Sequence, residues 1–126
     1  MNDDAILEMY IAYLAACNDR DWGSIAGFVH SSVLVNGVQR TRKQYVDDIR
    51  KTVAVFPDYA WELRHVVQQA PWLAVHLHDT GTRHQMFLGV PGDLSPVETH
   101  EFAMYRIADR RITELWGTAD NARLRL

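Results

Sequence analysis

Apolar residues in the first part of the chain recur every three or four positions, the period of a helix that buries one face. They predict an amphipathic helix over residues 3–18, with Asp3 and Asp4 at its positive end. Its apolar stripe consists of Ile6, Met9, Tyr10, Tyr13, Leu14 and Cys17. This helix needs another element to cover that stripe.

Capping signals predict two further helices. Asp21 can cap a short second helix, and residues 33–35 then form a brief strand. Thr41 and Gln44 have the capping-box spacing that begins a third helix, which Pro57 ends.

From Tyr59 onward the apolar period changes to two, which is typical of β-strands with one buried face. The strands are predicted at 59–68, 72–80, 84–90, 97–107 and 111–119. Helices followed by strands indicate the α+β class. Short turns between consecutive strands favour an antiparallel meander, so we expect a curved sheet with the helices across its concave side.

Composition limits the function classes. The chain has 126 residues, of which 48% are hydrophobic and 23% charged, which predicts a single domain over 1–126. A net charge of −3 without a basic block argues against nucleic acid. The acidic start and the lack of a long apolar run argue against a signal peptide and a membrane span, and predict a cytoplasmic protein. Cys17, the only cysteine, is predicted to be a small core residue.

The last predicted strand carries the strongest candidate for chemistry. If it is extended, Ile112, Glu114, Trp116, Thr118 and Asp120 share one face. A carboxyl group in apolar surroundings has a raised pKa and can act as a general acid or base. Asp120 can equally end the strand or form a turn, and spacing alone favours that interpretation.

Histidines and aromatic residues supply further candidates. His76 and His78 would project from one face of a strand, where they could ligate a metal, but hydrogen-bonded structural histidines are the commoner case. His100 could donate a hydrogen bond to a substrate oxygen, although filling the core is the more usual role. Phosphate loops and serine hydrolase motifs are absent from the sequence.

Five segments in order resemble the SnoaL-like polyketide cyclases and ester cyclases of the nuclear transport factor 2-like superfamily. They are Phe56-Pro57-Asp58, Thr80-Gly81-Thr82, Phe87-Leu88-Gly89-Val90-Pro91, Tyr105-Arg106 and Ile112-x-Glu114-x-Trp116-x-x-x-Asp120. The resemblance implies a cone-shaped α+β barrel, with three N-terminal helices packed on a strongly curved antiparallel sheet. It also implies a ligand cavity in the cone and a homodimer through the outer sheet face.

The resemblance further implies a reaction. Asp120 matches the aspartate that removes an acidic proton between two carbonyl groups, after which the enolate attacks a carbonyl of the same polyketide-like molecule, without metal or organic cofactor. His100 would assist catalysis. The expected substrate-binding residues are Tyr10, Tyr13, Asn36, Trp116 and His78.

The chain departs from the family pattern at the cavity mouth. Gly81-Thr82-Arg83 stands where Gly-Thr-His is usual, and Pro91-Gly92-Asp93 replaces a Pro-Pro-Thr-Gly turn. Two other functions therefore stay open. The domain could bind a ligand or partner without catalysis, or it could be a hydrolase or isomerase of another small apolar substrate.

Overall fold

The computed structural model describes residues 1–119 of the chain. The helices are α1 (Asp3–Asn18), α2 (Trp22–Gly27) and α3 (Arg42–Val55). The strands are β1 (Val29–Val35), β2 (Val38–Thr41), β3 (Ala60–Gln69), β4 (Trp72–Thr82), β5 (Pro96–Ala108) and β6 (Arg111–Ala119). None of the helices in this part of the chain is long and apolar enough to cross a membrane.

Local capping chemistry starts each helix where the sequence predicts it. Asn2 Oδ1 accepts a hydrogen bond from the Ala5 amide at the start of α1. Asp21 accepts one from the Ser24 amide in α2, and Thr41 and Gln44 form the complete capping box of α3. Each cap satisfies amide groups that the first helical turn leaves without partners. The prediction of these three helices is confirmed.

The described strands form one six-stranded sheet in the order β2-β1-β6-β5-β4-β3. Every neighbouring pair is antiparallel except β1 and β6, which are parallel. The α+β class, with helices against a mostly antiparallel sheet, is confirmed. Because β2 and β3 remain as edges, the sheet does not close into a complete barrel.

The predicted strand at 84–90 is wrong, and β2 was not predicted. Residues 83–95 form a loop between β4 and β5, in which Phe87 and Val90 make an isolated bridge. Leu88 has φ 49° and Leu94 φ 61°, which a strand cannot contain. Apolar composition suggested a strand here, but Met86 and Leu88 are exposed and only Phe87 packs inward, against Phe56.

A buried arginine holds this loop. Arg83 is 2% exposed, and its guanidinium donates to the Pro91 carbonyl at 2.9 Å and to Asp93 Oδ1 at 3.0 Å. Gly92 lies so close to His84 that an added Cβ would fall 2.4 Å from backbone atoms. The two departures from the family pattern, Gly81-Thr82-Arg83 and Pro91-Gly92-Asp93, therefore form one interaction.

The helices pack on one face of the sheet, which we call the inner face. On β4 and β5 its side chains are Leu73, Val75, Leu77, Ala103 and Tyr105. Ile6 and Tyr10 of α1 are fully buried against it. Complete burial of such a side chain stabilises the fold by roughly 1.5–3 kcal/mol. Cys17 is buried in this core as predicted, and burial raises the pKa of its thiol to about 12.

A β-bulge changes which side chains of β6 face inward. Ile107 pairs with Ile112 but Arg106 pairs with Glu114, which leaves Thr113 as the extra residue. Ile112 is fully buried, whereas Trp116, four residues later, is 39% exposed on the outer face. The prediction that Ile112, Glu114 and Trp116 share a face is wrong because the bulge reverses the alternation between them.

Candidate functional site

A cavity of about 370 Å³ lies between the helices and the inner face of the sheet. Most of its wall is aromatic and aliphatic: Tyr13, Leu14, Cys17, Val35, Tyr45, Ile49, Phe56, Tyr59, Trp61, Leu77, Phe87, Tyr105 and Leu115. Its polar lining comes from Asn36, Asp48, Thr52, Glu101 and Thr118, with Gly117 beside them. Such a space suits a small, largely apolar ligand with a few polar groups.

Exposure along the wall shows which end is open. Asn36, Asp48 and Thr118 are exposed and mark the mouth, whereas Tyr13 and Tyr105 are buried at the inner end. At the mouth, the Asn36 side-chain carbonyl accepts a hydrogen bond from the Gly117 amide at 2.8 Å, which ties β1 to β6. Asp48 is neutralised there by Arg40 at 2.8 Å.

Two phenols form a neutral hydroxyl pair at the inner end. The Tyr13 and Tyr45 oxygens are 2.7 Å apart, and either can be the donor. Burial raises the pKa of both phenols, so neither ionises near neutral pH. Because one hydroxyl donates to the other, the pair keeps one O–H for a ligand.

The inner face also carries two carboxyl groups on neighbouring strands. Glu101 of β5 pairs with Leu77, and Asp79 of β4 pairs with Thr99, so the two acids are diagonal neighbours. Glu101 lines the cavity, while Asp79 lies behind it and is fully buried. The Tyr59 hydroxyl donates to Asp79 Oδ2 at 2.8 Å. The Glu101 and Asp79 carboxyl groups interact electrostatically, and each changes the pKa of the other.

Electrostatics assigns the proton within this pair. Burial raises the pKa of Glu101 well above its usual range, and the hydrogen bond and negative charge of Asp79 raise it further. Burial also raises the pKa of Asp79, but the hydrogen bonds from Glu101 and Tyr59 act in the opposite direction. Two adjacent carboxylates in a dry site repel each other. These effects favour one proton for the pair, held by Glu101 rather than by Asp79.

This pair predicts an unusual dependence of stability on pH. Both folded pKa values lie above the unfolded values near 4, so the folded state binds more protons between them. Below about pH 4 the pair makes its whole contribution to the free energy of unfolding. Between the unfolded and the folded pKa of each group, that contribution falls by about 1.4 kcal/mol per pH unit. Glu101→Gln should thus gain stability relative to the wild type as pH rises.

Urea unfolding of the wild type and Glu101→Gln at about pH 5 and about pH 8 measures this effect. Glu8→Gln is the matched control, because Glu8 is an exposed acid on α1. Parallel stability curves for the wild type and Glu101→Gln would contradict the assigned proton.

The structure brings only some of the predicted site residues to the cavity. Tyr13 and Asn36 line it. Tyr10 lies behind Tyr13 in the core, with its ring centroid 4.8 Å from that of Tyr105, so it is not a cavity wall. Asp120 lies outside the described residues.

His78, His100 and Trp116 lie on the outer face, away from the cavity. His100 Nδ1 is 2.8 Å from His76 Nε2, and His78 Nε2 is 2.9 Å from Glu98. These contacts make a surface row with exposed Phe102 and Met104 beside it. The strand period of two separates them from Glu101, which points inward. Association of two copies through this face stays a prediction.

A metal site on these histidines receives no support. Within residues 1–119, no group of three His, Cys, Asp or Glu side chains has an arrangement that could hold a metal ion. His76 instead stacks on Phe102, with ring centroids 4.8 Å apart. Its two nitrogens contact His65 and His100.

Sequence reasoning missed Asp79, Glu101 and Tyr59. The sequence did contain a signal for Asp79, because this residue continues the inward-facing series Leu73, Val75 and Leu77. An acid in such a series is costly to bury without a partner, so it points to a nearby polar group. Their contact was not visible, because it depends on the register between β4 and β5.

Known proteins share this architecture. The model of the SnoaL-like polyketide cyclase family matches residues 7–126. Among solved structures, a SnoaL-like polyketide cyclase from Agrobacterium tumefaciens str. C58 is 26% identical, with 94% of each chain covered and a TM-score of 0.87. No curated protein matches the chain by sequence.

Two less similar structures agree in fold alone. IdmH from Streptomyces antibioticus, a proposed polyketide cyclase, is 24% identical, with 92% of each chain covered and a TM-score of 0.83. AclR from Streptomyces galilaeus, a proposed hydroxylase, is 18% identical, with 98% of this chain and 94% of that chain covered and a TM-score of 0.85.

Proposed function

Because the chain belongs to the SnoaL-like polyketide cyclase family, we propose that it catalyses a cofactor-free acid/base cyclisation of a small polyketide-like compound in the cavity. The observation that carries this proposal is the placement of a carboxyl group of raised pKa, Glu101, in the mostly apolar wall of a cavity of about 370 Å³. In this proposal Asp120 removes a proton from a carbon between two carbonyl groups. The resulting enolate attacks a second carbonyl of the same molecule.

The cavity chemistry supports this reaction. A carbon between carbonyls is acidic enough for a carboxylate base, so the protein needs chiefly to fold the substrate and to hold the reacting carbons together. Aromatic walls such as Tyr105 and Phe56 match the apolar body of such a chain. The Tyr13–Tyr45 hydroxyl pair can bind one of its oxygens.

A purely ligand-binding domain is the competing function. Burying Asp79 and Glu101 side by side costs stability, because both groups lose their hydration. A protein that only stores an apolar ligand gains little from such a pair, whereas perturbed carboxyl groups in a cavity are typical of acid/base enzymes. The pair therefore favours the enzyme over the binding module.

Proton exchange tests the proposal without knowledge of the natural substrate. The β-diketone benzoylacetone has an acidic methylene between two carbonyls, and its exchange with deuterium oxide can be followed by proton NMR. We expect the purified protein to accelerate this exchange above the buffer rate. Saturable binding of benzoylacetone, measured by calorimetry, without accelerated exchange would favour the binding module and overturn the proposed function.

A further inference from the structure

The Asp79–Glu101 pair has an arrangement that a merely structural pair does not need. One member, Glu101, lines the cavity, and the other, Asp79, is fully buried behind it. Tyr59 holds the far side of Asp79 through its 2.8 Å hydrogen bond. The second oxygen of Asp79, Oδ1, is buried and receives no N–H or phenol hydrogen bond in the described residues. The neighbouring acid that can offer a proton to this carboxyl group is Glu101, its diagonal partner in the sheet.

The surroundings of the pair keep this proton in place. Asp79 on β4 is the titratable group that raises the pKa of Glu101. A charge on Glu101 would in turn raise the pKa of its other titratable neighbours, which are Tyr59 before β3, Tyr10 and Cys17 on α1, Tyr45 on α3 and Tyr105 on β5. Burial raises the pKa of each of these phenols and of the thiol, so they are neutral near pH 7. Asp79 is the charged member of this set, and its charge opposes ionisation of Glu101.

We propose that Glu101 is a second catalytic residue, which donates its proton to a carbonyl oxygen of the bound ligand, and that Asp79 is the positioning residue that keeps this proton on Glu101. The proposal rests on the acid/base cyclisation proposed above. It adds a proton donor in the cavity wall to a reaction for which the resemblance named Asp120 and His100, of which His100 lies on the outer face of the sheet.

The step balances within the cyclisation. The base takes the proton of the methylene carbon, and that carbon forms a bond to the carbonyl carbon under attack. The π electrons of this carbonyl move to its oxygen, which takes the proton of Glu101 and becomes a hydroxyl group. Glu101 is then a carboxylate beside Asp79, and their repulsion favours return of a proton from the protonated base through water. Both acids are restored after each turnover.

The pH profile of benzoylacetone exchange tests this role, because the enolate oxygen of the diketone stands in for the oxygen that receives the proton. Glu101→Leu should lower the exchange rate by about 10²–10³-fold, the effect of removing one preorganised donor. The wild-type rate should fall at high pH as Glu101 ionises. Glu101→Gln should lose this decline, because its amide donates at every pH.

Asp79→Asn separates positioning from structure. Removal of the charge behind Glu101 lowers the pKa of that carboxyl, so the decline at high pH should move to lower pH. If Asp79 had only a structural role, its substitution would lower the exchange rate without changing the pH at which that rate declines. Glu98→Gln, on the outer face of β5, should leave both unchanged. An unmoved profile in a folded Asp79→Asn variant overturns the positioning role.

Infrared difference spectroscopy gives a readout that does not depend on turnover. At neutral pH the wild type should show a protonated carboxyl C=O band that is lost in Glu101→Gln, kept in Glu98→Gln, and shifted when benzoylacetone binds. A missing band, or a band that saturating benzoylacetone leaves unshifted, overturns the proposal even if exchange occurs. If the diketone shifts the band without exchange, the proposed function fails while the hydrogen bond from Glu101 stands.

Discussion

Asp120→Asn is expected to lower the rate of benzoylacetone exchange by about 10²–10⁴-fold, the usual contribution of a general base. The amide has nearly the same size as the carboxylate but cannot accept the methylene proton at any accessible pH. Exchange by the wild type and the variant under identical conditions measures the effect, and calorimetry with benzoylacetone should give similar affinities. The loss should appear in kcat, because the substitution removes chemistry and leaves the cavity wall unchanged.

Asp109→Asn is the matched control for this substitution. Asp109 is exposed in the turn between β5 and β6, with φ 52°, a conformation that asparagine also adopts readily. The control should keep the wild-type exchange rate. Unchanged exchange in a folded Asp120→Asn protein would rule out Asp120 as the base and leave the Asp79–Glu101 pair as the candidate.

Phe56→Ala is expected to lower the free energy of unfolding by about 3–5 kcal/mol, the usual cost of truncating a buried phenylalanine. Phe56 is 1% exposed and packs against Tyr59 and Phe87, with ring centroids 5.7 and 5.3 Å apart. Its loss joins new space to the cavity and removes the support of the loop that carries Phe87. Because Tyr59 also fixes Asp79, benzoylacetone exchange should fall together with stability.

Phe102→Ala provides a like-for-like comparison. Phe102 is 56% exposed on the outer face and stacks on His76. Its removal should cost less than about 1.5 kcal/mol, the value of one aromatic contact. Urea unfolding of both variants measures the difference, and equal losses would contradict the assignment of Phe56 to the support of the cavity.

The sequence determined the elements whose causes are local. The caps at Asp21 and Thr41 involve residues only three positions away, so the starts of α2 and α3 were predictable. Periods of 3.6 and 2 likewise identified the helices and most strands, and therefore the α+β class. The family resemblance agrees with the match of residues 7–126.

Predictions from local patterns were wrong where the structure depends on contacts between two segments of the chain. The run at 84–90 is apolar enough for a strand, but the buried Arg83 holds it as a loop through Asp93. The alternation in β6 was predicted without interruption, and the bulge at Thr113 moved Trp116 to the outer face. A bulge is a property of the pairing between strands, so one strand alone does not reveal it.

The candidate site was decided by tertiary structure for the same reason. His100 and Glu101 are adjacent in sequence, yet the pleat sends them to opposite faces, and only the cavity between the sheet and the helices identifies Glu101 as the inner one. Asp79 and Glu101 are far apart along the chain and meet because Leu77 pairs with Glu101 in the sheet. The sequence by itself supplied the fold class, the family resemblance and Asp120 as a candidate. Only the register of β4 on β5 and the packing of α1 and α3 placed one shared proton in the cavity wall, since desolvation and charge repulsion act through space.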